Sequence, residues 1–267
     1  MKPTIRSIRL ATGVRLEYAE QGDPAGTPVV LLHGITDSWR SFETVMPHLA
    51  ASLRVYSISQ RGHGGSDRPR SYHTREFAAD AAAFIEALGL RRAIVVGHSM
   101  GSVNAMRLAI DRPDLVCGTV LAGAFAGFRG NPAVVEFHRD AVVPLRDPID
   151  PAFVEEWQRS TLARPIHPAF FGSIVRETLK VPASVWRVAF GALLDDDFAS
   201  ELHRIATPTL LLWGDADAFA PRADQARIRD AVRDSTLVIY QGAGHALHWE
   251  EPARFAADVA RFACRLR

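Results

Sequence analysis

The chain has 267 residues, 48% of them hydrophobic, with 31 basic side chains against 30 acidic ones. That length suits one α/β domain with an insertion and is enough to bury a sizeable core. A near-zero net charge without a basic run argues against nucleic acid or an anionic membrane as the main partner. Ile5–Leu10 and Val14–Ala19, around Thr12-Gly13, read as an opening hairpin. Val29–Leu32 and Val55–Ile58 are short buried strands, and a helix runs from about Arg75 to Leu88, stopping at Gly89. A strand at Ala93–Val96, a helix at Ser102–Ile110 and a strand at Val116–Ala122 continue the alternation. Between Phe125 and Ser200 the rhythm breaks. Prolines 132, 144, 148, 151, 165, 168 and 182 separate amphipathic pieces such as Phe153–Leu162 and Ala169–Leu179. The βα rhythm resumes at Thr207. Strands alternating with helices predict a parallel-rich sheet with right-handed crossovers. The break predicts a mostly helical insertion after the sixth strand.

The stretch that carries most chemistry is Gly97-His98-Ser99-Met100-Gly101. Strand, then Gly-x-Ser-x-Gly, then helix is the layout of a nucleophile elbow, in which a strained turn lifts the serine hydroxyl clear of the sheet. A serine nucleophile needs a base, and the base needs an orienting acid. Two late segments can supply them. Thr209–Trp213 runs into a loop holding Asp215 and Asp217, and Leu237–Tyr240 runs into Gln241-Gly242-Ala243-Gly244-His245. Both put a polar group just past the carboxyl end of a strand, where open parallel sheets bind ligands. His248 competes with His245, but its place at or before a helix start favours a local hydrogen bond or the solvent. His98 reads as a structural filler and His63 as a shaper of the early glycine-rich loop. The remaining histidines form no i, i+4 pair with an acidic partner, so no metal site is expected. The loop Gly62–Gly65 lacks the spacing of a dinucleotide or phosphate cradle, so no cofactor is expected either.

Taken together, these segments resemble the α/β-hydrolase superfamily over essentially the whole chain, and within it the small capped bacterial esterase-like serine hydrolases. The resemblance rests on Leu31-Leu32-His33-Gly34, Arg61-Gly62-His63-Gly64-Gly65-Ser66-Asp67, Gly97–Gly101, Trp213-Gly214-x-x-Asp217, and Gly244-His245 followed by Trp249-Glu250-Glu251-Pro252. It implies an α/β-hydrolase fold, a mostly parallel twisted sheet flanked by helices with an inserted helical cap. The hydrolase core would be residues 1–123 and 202–267, and the cap 124–201. It further implies Ser99 as nucleophile, His245 as base and then acid, and Asp217 rather than Asp215 as the group holding the imidazole. The amides of Met100 and Ile35 would form the oxyanion hole. Two positions depart from the family: Ser59 stands where an acid is frequent, and Ser102 where glycine is common.

Substrate choice is expected to lie in the cap. Its aromatic residues are Phe125, Phe128, Phe137, Phe153, Trp157, Phe170, Phe171, Trp186 and Phe190, of which two or three are expected at the pocket. Phe125 and Trp39 are the positional candidates, with helix-start packing the other reading of Trp39. An apolar floor favours a small to medium, largely apolar ester. The same three residues also serve carbon–carbon cleavage beside a ketone, lactone opening or perhydrolysis, and a slow-turnover ligand receptor is a further reading. The expected partner is a small-molecule substrate, with no nucleic acid and no membrane, acting on a monomer or homodimer. Lack of a signal-like stretch at Met1–Arg6 and of a long apolar run makes the cytoplasm the expected location. Cys117 and Cys264 are expected as buried free thiols.

Overall fold

The computed structural model describes residues 2–128 and 132–266. Eight strands form one sheet: β1 Thr4–Arg9, β2 Arg15–Gly22, β3 Thr27–Leu32, β4 Leu53–Ser59, β5 Ala93–His98, β6 Val116–Ala122, β7 Thr209–Gly214 and β8 Ser235–Tyr240. Their spatial order is β1-β2-β4-β3-β5-β6-β7-β8. β1 pairs β2 and β2 pairs β4 antiparallel, and every later pairing is parallel. The opening hairpin closes where Gly13, at φ 84°, donates to the Leu10 carbonyl at 2.9 Å.

The central strands are apolar on both faces, as a doubly covered parallel sheet requires. Side chains alternate across it. Val30, Leu32 and Val95 pack on one face with Phe84 of α1 (Thr74–Ala87) and Val103 of α2 (Met100–Asp111). Leu31, Ile94 and Val96 pack on the other with α9 (Pro252–Arg265). In α9, Phe255, Val259 and Phe262 recur at one-turn spacing and form the buried face. Truncating either phenylalanine to alanine there would cost about 3–5 kcal/mol.

Between β6 and β7 the chain forms the helical insert: α3 Pro132–Phe137, α4 Pro151–Ser160, α5 Pro168–Thr178 and α6 Ala183–Asp195. Four of the seven prolines that break the strand rhythm stand at helix starts, Pro132, Pro151 and Pro168 as first residues and Pro182 just before α6. Pro151 and Pro168 occupy first-turn positions, where a missing N–H costs nothing, and Asp150 and His167 accept from the Ala152 and Ala169 amides. After β7 come α7 (Arg222–Ala231) and, after β8, the short α8 (Leu247–Glu250). Among the described residues no helix is long and apolar enough to cross a membrane.

Two expectations need correction. The helix after the elbow begins at Met100 rather than Ser102, because Ser102 and Val103 already donate to the Ser99 carbonyl. The cysteines are free, but Cys264 is exposed and Cys117 only half-buried. Cys264 falls on the solvent side of α9, away from its Phe255–Phe262 face.

Candidate active site

Ser99 follows β5 directly at φ 54° and ψ −119°, a conformation that L side chains rarely adopt. Its neighbours explain how the chain tolerates it. A Cβ at Gly97 would lie 2.1 Å from the Gly101 carbonyl oxygen, and one at Gly101 would lie 2.1 Å from that of Leu32. Only glycine fits either place, and the Ser99 backbone is held by donating to the Ala122 carbonyl at 3.0 Å. The Ser102 hydroxyl, at the position where the family favours glycine, donates to the Ser99 carbonyl at 2.6 Å. Among the described residues only one other non-glycine has positive φ: Thr36, at 70°, in the turn after β3. Among the described residues, non-glycine positive φ is thus confined to the two turns that meet at the serine.

His245 lies in the loop after β8 and is 5% exposed. Its Nδ1 sits 2.9 Å from Asp217 Oδ2. Asp217, after β7, has its side chain fully covered, and its Oδ1 accepts from the amides of Phe219 at 2.8 Å and Ala220 at 2.9 Å. Burial alone would raise this carboxyl, but the imidazole and the two amides outweigh it and hold the group below the usual carboxylate value. Asp215 points to the exposed side and accepts from the Gly242 amide, so the carboxylate at the imidazole is Asp217.

Ser99, 8% exposed, opens with His245 into a cavity of about 480 Å³. The two share this space without a hydrogen bond between them. Ile35 lines the cavity. Met100 buries its side chain in the core at the first position of α2. The amides of Ile35 and Met100 donate to no acceptor among the described residues.

Four histidines around this rim are buried and neutral. The Thr36 amide donates to His63 Nε2 at 3.1 Å and the Gln60 amide to His33 Nε2 at 2.9 Å, so in each ring Nδ1 carries the proton, toward the Arg61 and Gly34 carbonyls. Burial brings His63 down to about 4, and it drives His33 well below its ordinary value with help from His63. His98 supports the loop of His245 by donating Nε2–H to the His245 carbonyl at 3.1 Å, and burial, then repulsion from His245, lower it to about 3. His248 is also driven well below its ordinary value by burial, and its Nε2 meets Ser41 Oγ at 3.0 Å.

Phe125 lies at the cavity, its ring 4.2 Å from Phe128 and 5.7 Å from His245. The cap contributes more than the two or three aromatics expected. Phe125, Phe128, Phe137, Phe153, Trp157 and Phe190 all line the cavity, joined by Phe219 after β7. The inward faces of α3, α4 and α6 converge there, whereas Trp186 packs behind them and Phe170 against Trp249. Trp39 is not at the cavity. It packs in the core on the α9 face of the sheet, with its amide on Ser59 Oγ and its carbonyl accepting from Ser57 Oγ. The turn Trp39–Phe42 points its apolar side away from the serine, which the sequence pattern does not show. Ser59 in turn donates to Glu17 Oε1 at 3.1 Å, so β2 brings a carboxylate to the position where the family favours an acid.

Three residues at the site have no role in the sequence reading, although Glu250 stands in the Trp249–Pro252 stretch. Asp37 lines the cavity, and Gln158 of α4 donates to it at 3.2 Å. Glu250 accepts from the Ala163 and Arg164 amides at 2.7 and 3.2 Å with Oε1, and from the Gly244 amide at 3.1 Å with Oε2. It thereby ties the loop after α4 to the loop of His245. The only sequence signals are a polar turn directly after His33-Gly34 and an acid five residues after the histidine.

A family model for the alpha/beta hydrolase fold matches residues 27–252. A non-heme chloroperoxidase from Streptomyces lividans is 27% identical, with 96% of this chain and 98% of that protein covered. A 2-hydroxymuconate semialdehyde hydrolase from Pseudomonas sp. is likewise 27% identical, covering 97% and 94%. Among solved structures, an esterase from Rhodococcus sp. superposes with a TM-score of 0.83, at 25% identity over 98% of this chain and 99% of that one.

Proposed function

The chain belongs to the α/β-hydrolase family, and from that premise we propose that it cleaves a carboxylic ester of a small to medium, largely apolar substrate through an acyl-enzyme. One observation carries the reading: the Asp217–His245 pair opens into the same aromatic-walled cavity as the strained Ser99. Ser99 Oγ attacks the ester carbonyl while His245 Nε2 takes its proton. Asp217 fixes the ring with Nδ1–H toward the carboxylate, which leaves Nε2 free to accept. The oxyanion is received by the amides of Met100 and Ile35, each worth about 3–4 kcal/mol of barrier. His245 then gives its proton to the leaving alcohol, and water repeats the sequence to release the acid.

A panel of esters of graded acyl length, set beside a vinylogous diketone, tests the reading. Ester turnover that disappears in Ser99→Ala, with the far-UV circular dichroism unchanged, is expected; retained turnover in that variant refutes the covalent step. Carbon–carbon hydrolysis by the same three residues is the second reading, favoured by the named activity of the Pseudomonas relative, and it predicts turnover of the diketone over the esters. A single burst of product without a steady state would instead indicate a slow ligand receptor.

A further inference from the structure

The turn after β3 brings to the cavity a carboxyl that ester cleavage does not use. Asp37 is 3% exposed; Oδ2 accepts from Ser41 Oγ at 3.1 Å and Oδ1 from Gln158 Nε2 at 3.2 Å. Both donors are neutral, and no Lys, Arg or His among the described residues forms an ion pair with it. The nearby Arg40 is committed to Glu43 at 3.0 Å and Glu177 at 3.4 Å. A second acid, the exposed Glu156, also borders the cavity. A buried carboxylate without a cation is unfavourable, and proteins keep such groups paired or use them to bind.

The order of the strands gives this charge a direction. β3 flanks β5 on one side and β6 and then β7 on the other, so Asp37 stands on one side of Ser99 while Phe125, Phe128 and Phe219 stand on the opposite side. An ester seated across Ser99 therefore extends one arm toward a carboxylate and the other toward aromatic rings. Trp157, whose indole nitrogen donates to Thr36 Oγ1 at 3.2 Å beside Asp37, lines the same part of the cavity with its ring stacked on Phe137 at 4.8 Å.

We propose that Asp37 recognises a positively charged nitrogen, so that the substrate is an ester with an ammonium-bearing arm on the β3 side and an aryl or alkyl arm on the β6 side. The inference rests on the ester-hydrolase reading of this cavity and narrows its substrate class.

The test is calorimetric binding of 3-phenylpropylammonium and 3-phenylpropanoate at pH 8, to the unaltered protein and to Asp37→Asn. The ammonium probe is expected to bind about tenfold or more tightly than the carboxylate, and Asp37→Asn to reduce that preference by about tenfold. A structural role alone would weaken both probes equally and leave their ratio unchanged, which overturns the proposal. Equal binding of the two probes by the unaltered protein overturns it without any variant. If Asp37→Asn fails to fold, Asp37→Ser, which keeps a hydroxyl for Gln158, supplies the same comparison. Phenyl acetate turnover is followed in parallel. Ammonium preference without turnover refutes ester cleavage and leaves Asp37 as a cation site, and turnover without preference does the reverse.

Discussion

Two buried aspartates stand on either side of Ser99 along the rim of the sheet, and their surroundings push them in opposite directions. Asp217, after β7, has an imidazole and two amides against its oxygens and is held below the ordinary carboxylate value. Asp37, after β3, has two neutral donors, and burial pushes it up to about 7 despite Ser41, Gln158 and His245. Burial is common to both, so the difference comes from partners. Asp217 is supplied with everything that an ionised carboxylate needs by the protein itself. Asp37 is supplied with half of it and meets the cavity with the remainder.

Removing the charge from each aspartate is the sharpest way to separate them. Asp217→Asn is expected to lower kcat by about 10³–10⁴-fold, because the amide no longer holds the productive tautomer of His245. A loss below tenfold in steady-state kinetics would take Asp217 out of the orienting role. Asp37→Asn is expected to act on stability with a defined pH dependence. The folded protein binds a proton at Asp37 more readily than the unfolded chain does, so ionising it works against folding. That penalty is absent below about 4, grows as pH rises, and is complete above about 7. Asparagine mimics the neutral form, so the variant is expected to be more stable by on the order of 3 kcal/mol at pH 8 and to lose that advantage toward pH 4. Urea denaturation across this range measures it; a constant or inverted difference would contradict the assigned environment. The smallest expected effect is at Glu250, which touches neither aspartate but joins the cap loop to the loop of His245. Glu250→Gln keeps one acceptor and is expected to lower kcat by about tenfold through misplacement of the imidazole, with KM little changed. A rise in KM with kcat intact would instead make Glu250 a determinant of the cap alone.

The same contrast separates what the sequence reveals from what it hides. Ser99, Asp217 and His245 are legible because each lies just past the carboxyl end of a strand and because the elbow glycines are forced by contacts of 2.1 Å. The alternating faces of β3 and β5 are legible because period-two burial follows from strand geometry. Asp37 is not legible, since a polar residue in a turn looks the same whether it faces water or a cavity. Trp39, two residues later, is misplaced for the same reason: the short turn Trp39–Phe42 has no periodicity to say which side is buried. In the cap, the aromatic positions on α3, α4 and α6 satisfy an amphipathic pattern equally well as helix packing or as cavity lining. Only the convergence of three helices distinguishes Phe137, Trp157 and Phe190 at the cavity from Trp186 behind it.

The account stands or falls on the reactivity of one hydroxyl. Incubation with an alkyl fluorophosphonate, followed by peptide mass spectrometry, tests it without knowledge of the natural substrate. A single adduct on Ser99 that forms far more slowly in His245→Ala, and slowly also in Asp217→Asn, is the predicted result. An unlabelled Ser99 in folded protein, or labelling that proceeds equally fast without His245, would contradict it.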